Sequence, residues 1–204
     1  MIDHGVLAAV ILAYLPGVLV PGPNFIAVVH KSVAASRLEA IALVLGIVTV
    51  NLFWSTCAIA GFGTLLTALP TASFIVKVLG GIYLVWFGLN IMLSAKTEFG
   101  LSGDSSRRSS LRSAFLQGVL TNIGNPKAIA FYMAIFSASV PGHVSLNTFA
   151  AILIMVALVS FSWYGLVAIA LSRSAVSLFY LKTRKPIDRL CGFLLLAVGI
   201  RQFI

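Results

Sequence analysis

Two apolar stretches of this sequence are too long for one straight helix to use in a single crossing of a bilayer, and both are interrupted by proline. From Gly5 to about Ser36 a continuous helix would run roughly 48 Å, and from Leu111 to Val140 about 45 Å, against a hydrocarbon core of about 30 Å. The first holds Pro16, Pro21 and Pro23 near its middle, and the second holds Pro126. Proline inside a helix removes a backbone hydrogen bond and clashes with the preceding turn. Each stretch therefore reads as a broken helix.

The rest of the chain is equally apolar. Hydrophobic residues make up 60% and charged residues 9% of 204 residues, and the mean hydropathy is +1.06, leaving too little polar surface to cover a soluble globule. An all-α membrane protein is the expected class, its partner the lipid bilayer, with six spans near 6–29, 40–62, 68–94, 113–140, 147–171 and 187–203. The opening "MIDHG" lacks a basic n-region and the first apolar run exceeds signal length, so the first span is expected to stay.

Loop charge orients the spans. Lys31 and Arg37, then Lys96, Arg107, Arg108 and Arg112, then Arg173, Lys182, Arg184, Lys185 and Arg189 place eleven of the 14 basic residues in three alternate connections. By the positive-inside rule these are cytoplasmic and both termini lie outside. The net charge of +9 follows from that topology. Nucleic-acid binding is not expected, because the charge is divided among short loops and lines no single patch.

The halves of the chain echo one another. Aligning Pro23 with Pro126 brings Ile26 and Ala27 onto Ile129 and Ala130; "VNLFW" (50–54) parallels "VSFSW" (159–163) at Val and Trp; "LGGIYLVWFG" (79–88) parallels "LCGFLLLAVG" (190–199). The chain then reads as one transmembrane domain, 1–204, made of repeat one (1–94), a cytoplasmic linker (95–112) and repeat two (113–204). Three spans per half forces opposite orientations, giving two inverted three-helix repeats with a broken first helix in each half. In transporters of that design, paired interrupted helices mark the binding site.

The residues at the breaks carry the chemistry. Asn125 suits an N-cap and Pro126 the first helical position, and Gly22 and Pro23 play the same parts beside Pro21. A helix start inside the membrane offers free N–H groups and partial positive charge to a carboxylate. Lys127 is the sharpest residue, since a central lysine costs at least about 2.5–3.5 kcal/mol on insertion scales and opposes the dipole of its own helix start. It either snorkels to the surface, or it meets a substrate carboxylate or helps close the pathway. Asn24, Asn51, Asn122 and Asn125 supply amides that serve interhelical hydrogen bonds or the substrate. Trp54, Trp163 and Tyr164 read as packing or interfacial aromatics.

Enzymatic chemistry has no motif here: HExxH, CxxC, GxSxG and the P-loop are all missing from the sequence. His4, His30 and His143 fall near span boundaries, and Cys57 and Cys191 do not correspond under the repeat, so neither a metal nor a cofactor is expected. A conduit for reducing equivalents would need a redox-active cysteine pair. That reading and a non-transporting assembly or signalling protein are the alternatives to transport.

With these residues in view, the chain resembles the lysine exporter (LysE/RhtB) family of bacterial amino-acid efflux proteins. "PGPNFIAVVHKSVAASRLEAIALVLGIVTVNL", "VKVLGGIYLVWFGLNI" and "FLQGVLTNIGNPKAIAFYMAIF" are similar to its first four spans. The resemblance implies a secondary transporter, driven by the proton gradient, that exports amino acids or close relatives. By motif it implies a substrate site at Pro21, Gly22, Pro23 and Asn24 and at Asn122, Asn125, Pro126 and Lys127, and the intramembrane amide of Asn51 is a further candidate substrate-binding residue. Asn51 departs from the acidic residue common in similar proteins, and "SAS" (137–139) from a usual Pro-x-Phe. A homodimer is left open.

Overall fold

The computed structural model describes residues 1–68, 70–93, 110–141, 143–170 and 174–201, and among them every regular element is a helix. In chain order these are α1 (His4–Leu19), α2 (Pro23–Ala34), α3 (Arg37–Ala68), α4 (Pro70–Leu93), α5 (Leu111–Ile123), α6 (Pro126–Ser139), α7 (Leu146–Ala170) and α8 (Ser174–Arg201). The linker expected over 95–112 lies outside the described residues except for its last three.

Both long stretches are broken where the prolines and caps require it. Asp3 starts α1, its carboxylate accepting from the backbone of Gly5 at 2.9 Å and Val6 at 3.1 Å. The helix continues through Pro16, and after Leu19 the chain turns extended at Val20. Pro23 then opens α2 at a bend of 54° to α1. In the second stretch Ser110 caps α5, and Asn125 caps α6 by accepting from the Lys127 backbone N–H at 3.1 Å, with Pro126 in the first turn. Each break thus sets the C-terminus of one helix beside the N-terminus of the next.

The exterior differs from that of a soluble protein. Leu120 on α5, Leu158 on α7 and Leu93 on α4 lie 70%, 62% and 80% exposed, whereas Asn24, Asn51, Asn122, Asn125, Thr148 and Ser160 are buried. An apolar exterior, with a small set of polar side chains buried within the apolar core, fits a hydrocarbon solvent. By length and composition α3 and α7 can each cross a membrane alone, and the bent pair α1–α2 is long and apolar enough to make a third if it is one span. The chain is therefore a multi-pass membrane protein in its described helices. One boundary differs from expectation: α8 begins at Ser174, well ahead of 187, and carries Pro186 inside it. Its first turns hold Lys182, Arg184 and Lys185, good helix formers that hydropathy alone cannot place in a helix.

Glycines set the closest helix contacts. A Cβ on Gly46 of α3 would meet the backbone of Phe115 and Val119 of α5, and one on Gly118 of α5 would meet that of Leu43 and Ile47 of α3. Gly88 of α4 and Gly192 of α8 each lie 2.6 Å, from the Cβ position, to the other's carbonyl oxygen, and Gly199 lies 3.0 Å in the same sense from that of Gly81. Between apolar helices in lipid, such backbone approach gains van der Waals contact that bulkier residues forbid. We expect Gly118→Ala to cost about 1–3 kcal/mol by overpacking against rigid α3 backbone. Gly165→Ala, with nothing within 4 Å of its Cβ position, should be neutral or stabilising by up to about 1 kcal/mol. Thermal unfolding of the two purified variants in detergent checks the pair, and equal midpoints would refute the glycine seam.

Candidate functional site

The two breaks meet. A small cavity of about 40 Å³ lies between them, room for a few waters, lined by Gly22, Pro23 and Asn24 from the first break and by Asn125 and Lys127 from the second. Asn51 of α3 and Tyr164 of α7 close it on one side, and Phe131 and Tyr132 of α6 on another. Gly17 lets it form, since a Cβ there would fall on the Phe131 ring.

A chain of buried hydrogen bonds runs behind the cavity. Asn122 Nδ2 on α5 donates to the Ile47 carbonyl of α3 at 2.9 Å and to Asn51 Oδ1 at 2.7 Å, while its Oδ1 accepts from Asn24 Nδ2 of α2 at 3.0 Å. Asn51 Nδ2 donates to Ser160 Oγ of α7 at 3.0 Å. Ser160 Oγ shares a hydrogen bond with the Tyr14 hydroxyl of α1 at 2.6 Å, and Tyr14 shares another with the Tyr132 hydroxyl of α6 at 2.8 Å. The network therefore ties helices α1, α2, α3, α5, α6 and α7 together without a formal charge.

The amide orientations follow from the network itself. A backbone carbonyl only accepts, so Asn122 must turn its nitrogen to Ile47 and its oxygen to Asn24. Asn24 must then present its nitrogen. Its own Oδ1 is left buried and without a hydrogen-bond partner among the described residues. Asn24 is 8% exposed, so the unmet acceptor is costly.

Lys127 is half-buried and reaches across to the other break. Its ammonium lies 4.7 Å from the centre of the Phe87 ring and 2.7 Å from where a Gly22 Cβ would stand. The Gly22 backbone is extended, which any residue adopts, so glycine is needed there for space. Just before Gly22, α1 ends, and the negative end of its dipole favours the ammonium that the start of α6 opposes. The aromatic face adds a cation–π attraction of about 0.5–2 kcal/mol. On the far side, the Tyr83 hydroxyl of α4 donates to the Lys127 carbonyl at 3.3 Å.

Of the residues singled out in the sequence, Gly22, Pro23, Asn24, Asn51, Asn125 and Lys127 line the cavity. Asn122 is fully buried behind it, Pro21 is not among the lining residues, and the Pro126 side chain lies outside the described residues. Tyr14, Tyr132 and Ser160 were not expected there, and Tyr164, read as packing, is in the wall.

The sequence model of the family described as LysE type translocator matches residues 15–204. The chain is 29% identical to a threonine efflux protein of Salmonella typhi over 197 residues, covering 96% of both chains. It is 30% identical to a leucine efflux protein of Klebsiella pneumoniae over 184 residues, covering 88% of this chain and 85% of that one. A protein of Haemophilus influenzae named only as an uncharacterized membrane protein is 23% identical over 93% of this chain and 91% of its own. No solved structure matches the chain.

The contact at Gly22 is a direct handle on Lys127. In Gly22→Ala the new methyl would displace the flexible end of Lys127 and leave the backbone in place, so fold stability should stay within about 1 kcal/mol of wild type. Transport should nevertheless fall by about tenfold, the effect of about 1.4 kcal/mol. Thermal unfolding and flux measured on the same preparation separate the two; loss of stability with normal flux per folded molecule would contradict the placement.

Proposed function

From the premise that this chain belongs to the LysE type translocator family, we propose that it exports small neutral amino acids from the cytoplasm through the cavity between its two helix breaks. Relatives named for threonine and leucine efflux support the substrate class. The observation that carries the reading is Lys127, an ammonium held in an otherwise uncharged, buried amide and hydroxyl site, placed to take a substrate carboxylate at the break.

The membrane arrangement belongs to the same proposal. Six crossings in the bacterial inner membrane, with both termini outside, form two inverted repeats, 1–94 and 113–204, joined by the cytoplasmic linker 95–112. Support comes from the direct hydrogen bond between Asn51 and Ser160, which correspond when Val50 and Trp54 are aligned with Val159 and Trp163. Contacts between corresponding residues are expected next to a pseudo-two-fold axis. The proton gradient is the proposed driving force, as the family resemblance implies. The remaining site residues, Pro21, Asn122 and Pro126, shape the break or brace it.

Purified protein in liposomes, loaded with radiolabelled threonine or leucine with and without a pH gradient, tests the reading. Lys127→Met keeps most of the side-chain length and removes the charge. Membrane insertion should hold or improve, because a buried charge is gone. Flux should fall by about tenfold or more, and Lys127→Arg should restore only part of it, since a planar guanidinium replaces a compact ammonium. Wild-type flux in a normally expressed Lys127→Met protein would refute the assigned role.

A further inference from the structure

We propose that the cavity holds its amino acid by both ends of the zwitterion, the carboxylate on the Lys127 ammonium and the α-ammonium on Asn24 Oδ1. This deepens the export reading and rests on it. The two residues correspond in sequence: aligning Pro23 with Pro126 brings Asn24 onto Lys127, each the second residue of a helix that starts at a break. The fold brings both to the wall of one cavity. One offers hydrogen-bond donors with a positive charge, and the other offers a buried acceptor with no partner.

The other polar groups in the wall are engaged elsewhere. Asn51 and Tyr132 belong to the network, and Asn125 Oδ1 caps the Lys127 backbone N–H. Asn24 Oδ1 cannot be turned away, because Asn122 fixes the amide through a backbone carbonyl. A ligand donor is what this oxygen lacks. Around the two heads stand Val18, Val20 and Phe131, and the wall holds no carboxylate among the described residues. A basic side chain would find no counter-charge there, so the site takes amino acids with short, uncharged side chains.

Competition against tritiated L-threonine bound to the purified full-length protein in detergent tests this without requiring transport. The competitors are 2,3-dihydroxybutanoate, in which a hydroxyl replaces the ammonium, and threoninol, which lacks the carboxylate. On the wild-type protein each should compete at least about tenfold more weakly than threonine, a difference of about 1.4 kcal/mol. Asn24→Leu should shrink the gap for dihydroxybutanoate to less than about threefold and leave the threoninol gap in place; Lys127→Met should do the reverse. If Asn24→Leu does not fold, Asn24→Asp decides, because a carboxylate at this place should widen the dihydroxybutanoate gap. An unchanged gap in either Asn24 variant overturns the proposal and means that the oxygen only holds water. Threonine and leucine flux in liposomes reads the export function separately: flux with an unchanged gap sinks this inference alone, and no flux with either amino acid sinks both.

Discussion

The carboxamide of Asn122 holds the centre of this protein in place. It spends both hydrogens on α3, at the Ile47 carbonyl and Asn51, and its oxygen on Asn24 of α2. It can reach α3 because Gly118 lies one helical turn earlier on the same face of α5, where the missing side chain lets the backbone settle against Leu43 and Ile47. Gly46 answers from α3 against Phe115 and Val119. Glycine seam and amide bridge are thus one device: close backbone approach is gained by dispersion, and it places a short polar side chain within hydrogen-bonding range of the next helix. In an apolar interior an unmade hydrogen bond is expensive. That expense fixes the orientation of each amide in turn, from Ile47 through Asn122 to Asn24.

Broken helices make the second constraint. A break exposes backbone groups that neither lipid nor an apolar core can satisfy, so it must be buried in protein or line a cavity. Here it does both. Asn125 takes the first free N–H of α6, Val20 returns its N–H to Pro16 at 3.2 Å, and the remaining polarity faces the cavity. Lys127 would be unfavourable at the start of its own helix, but it lies against the end of the other broken one and over the Phe87 ring. The charge belongs to α6 by sequence and to the first break by electrostatics.

Much of this was legible from residue types that have few uses in an apolar run. Proline after asparagine or glycine announces a helix start wherever it falls, which is why both breaks and five of the cavity residues could be named from the sequence, and Asn51 was named as an amide in an apolar span. The hydroxyl half of the network could not. Tyr14 and Ser160 are 146 positions apart and Tyr14 and Tyr132 are 118 apart, and a tyrosine in an apolar helix looks the same whether its hydroxyl meets a partner or an interface. Asn122 and Asn125 sit close in sequence and invite one role, yet the break divides them: Asn125 caps a helix at the cavity and Asn122 is sealed behind it. The early start of α8 escaped for a different reason. Hydropathy reports where a helix can meet lipid, and says nothing about a helix that continues through basic residues.

Asn51 shows how a neutral residue shapes the whole site. Its amide accepts from Asn122 and donates to Ser160 in one step, linking the asparagine half of the network to the tyrosine half. A carboxylate there could only accept, which would force Ser160 to donate toward it and Tyr14 to donate toward Ser160, and it would place a second charge in the cavity wall. With asparagine in place, Lys127 is the one formal charge lining the cavity among the described residues. Its ammonium stands near the end of α1 and over the Phe87 ring, each of which favours a cation. In the proposed site an arriving zwitterion would bring a carboxylate to this ammonium and a donor to the buried Asn24 oxygen, at the point where both helices are already broken.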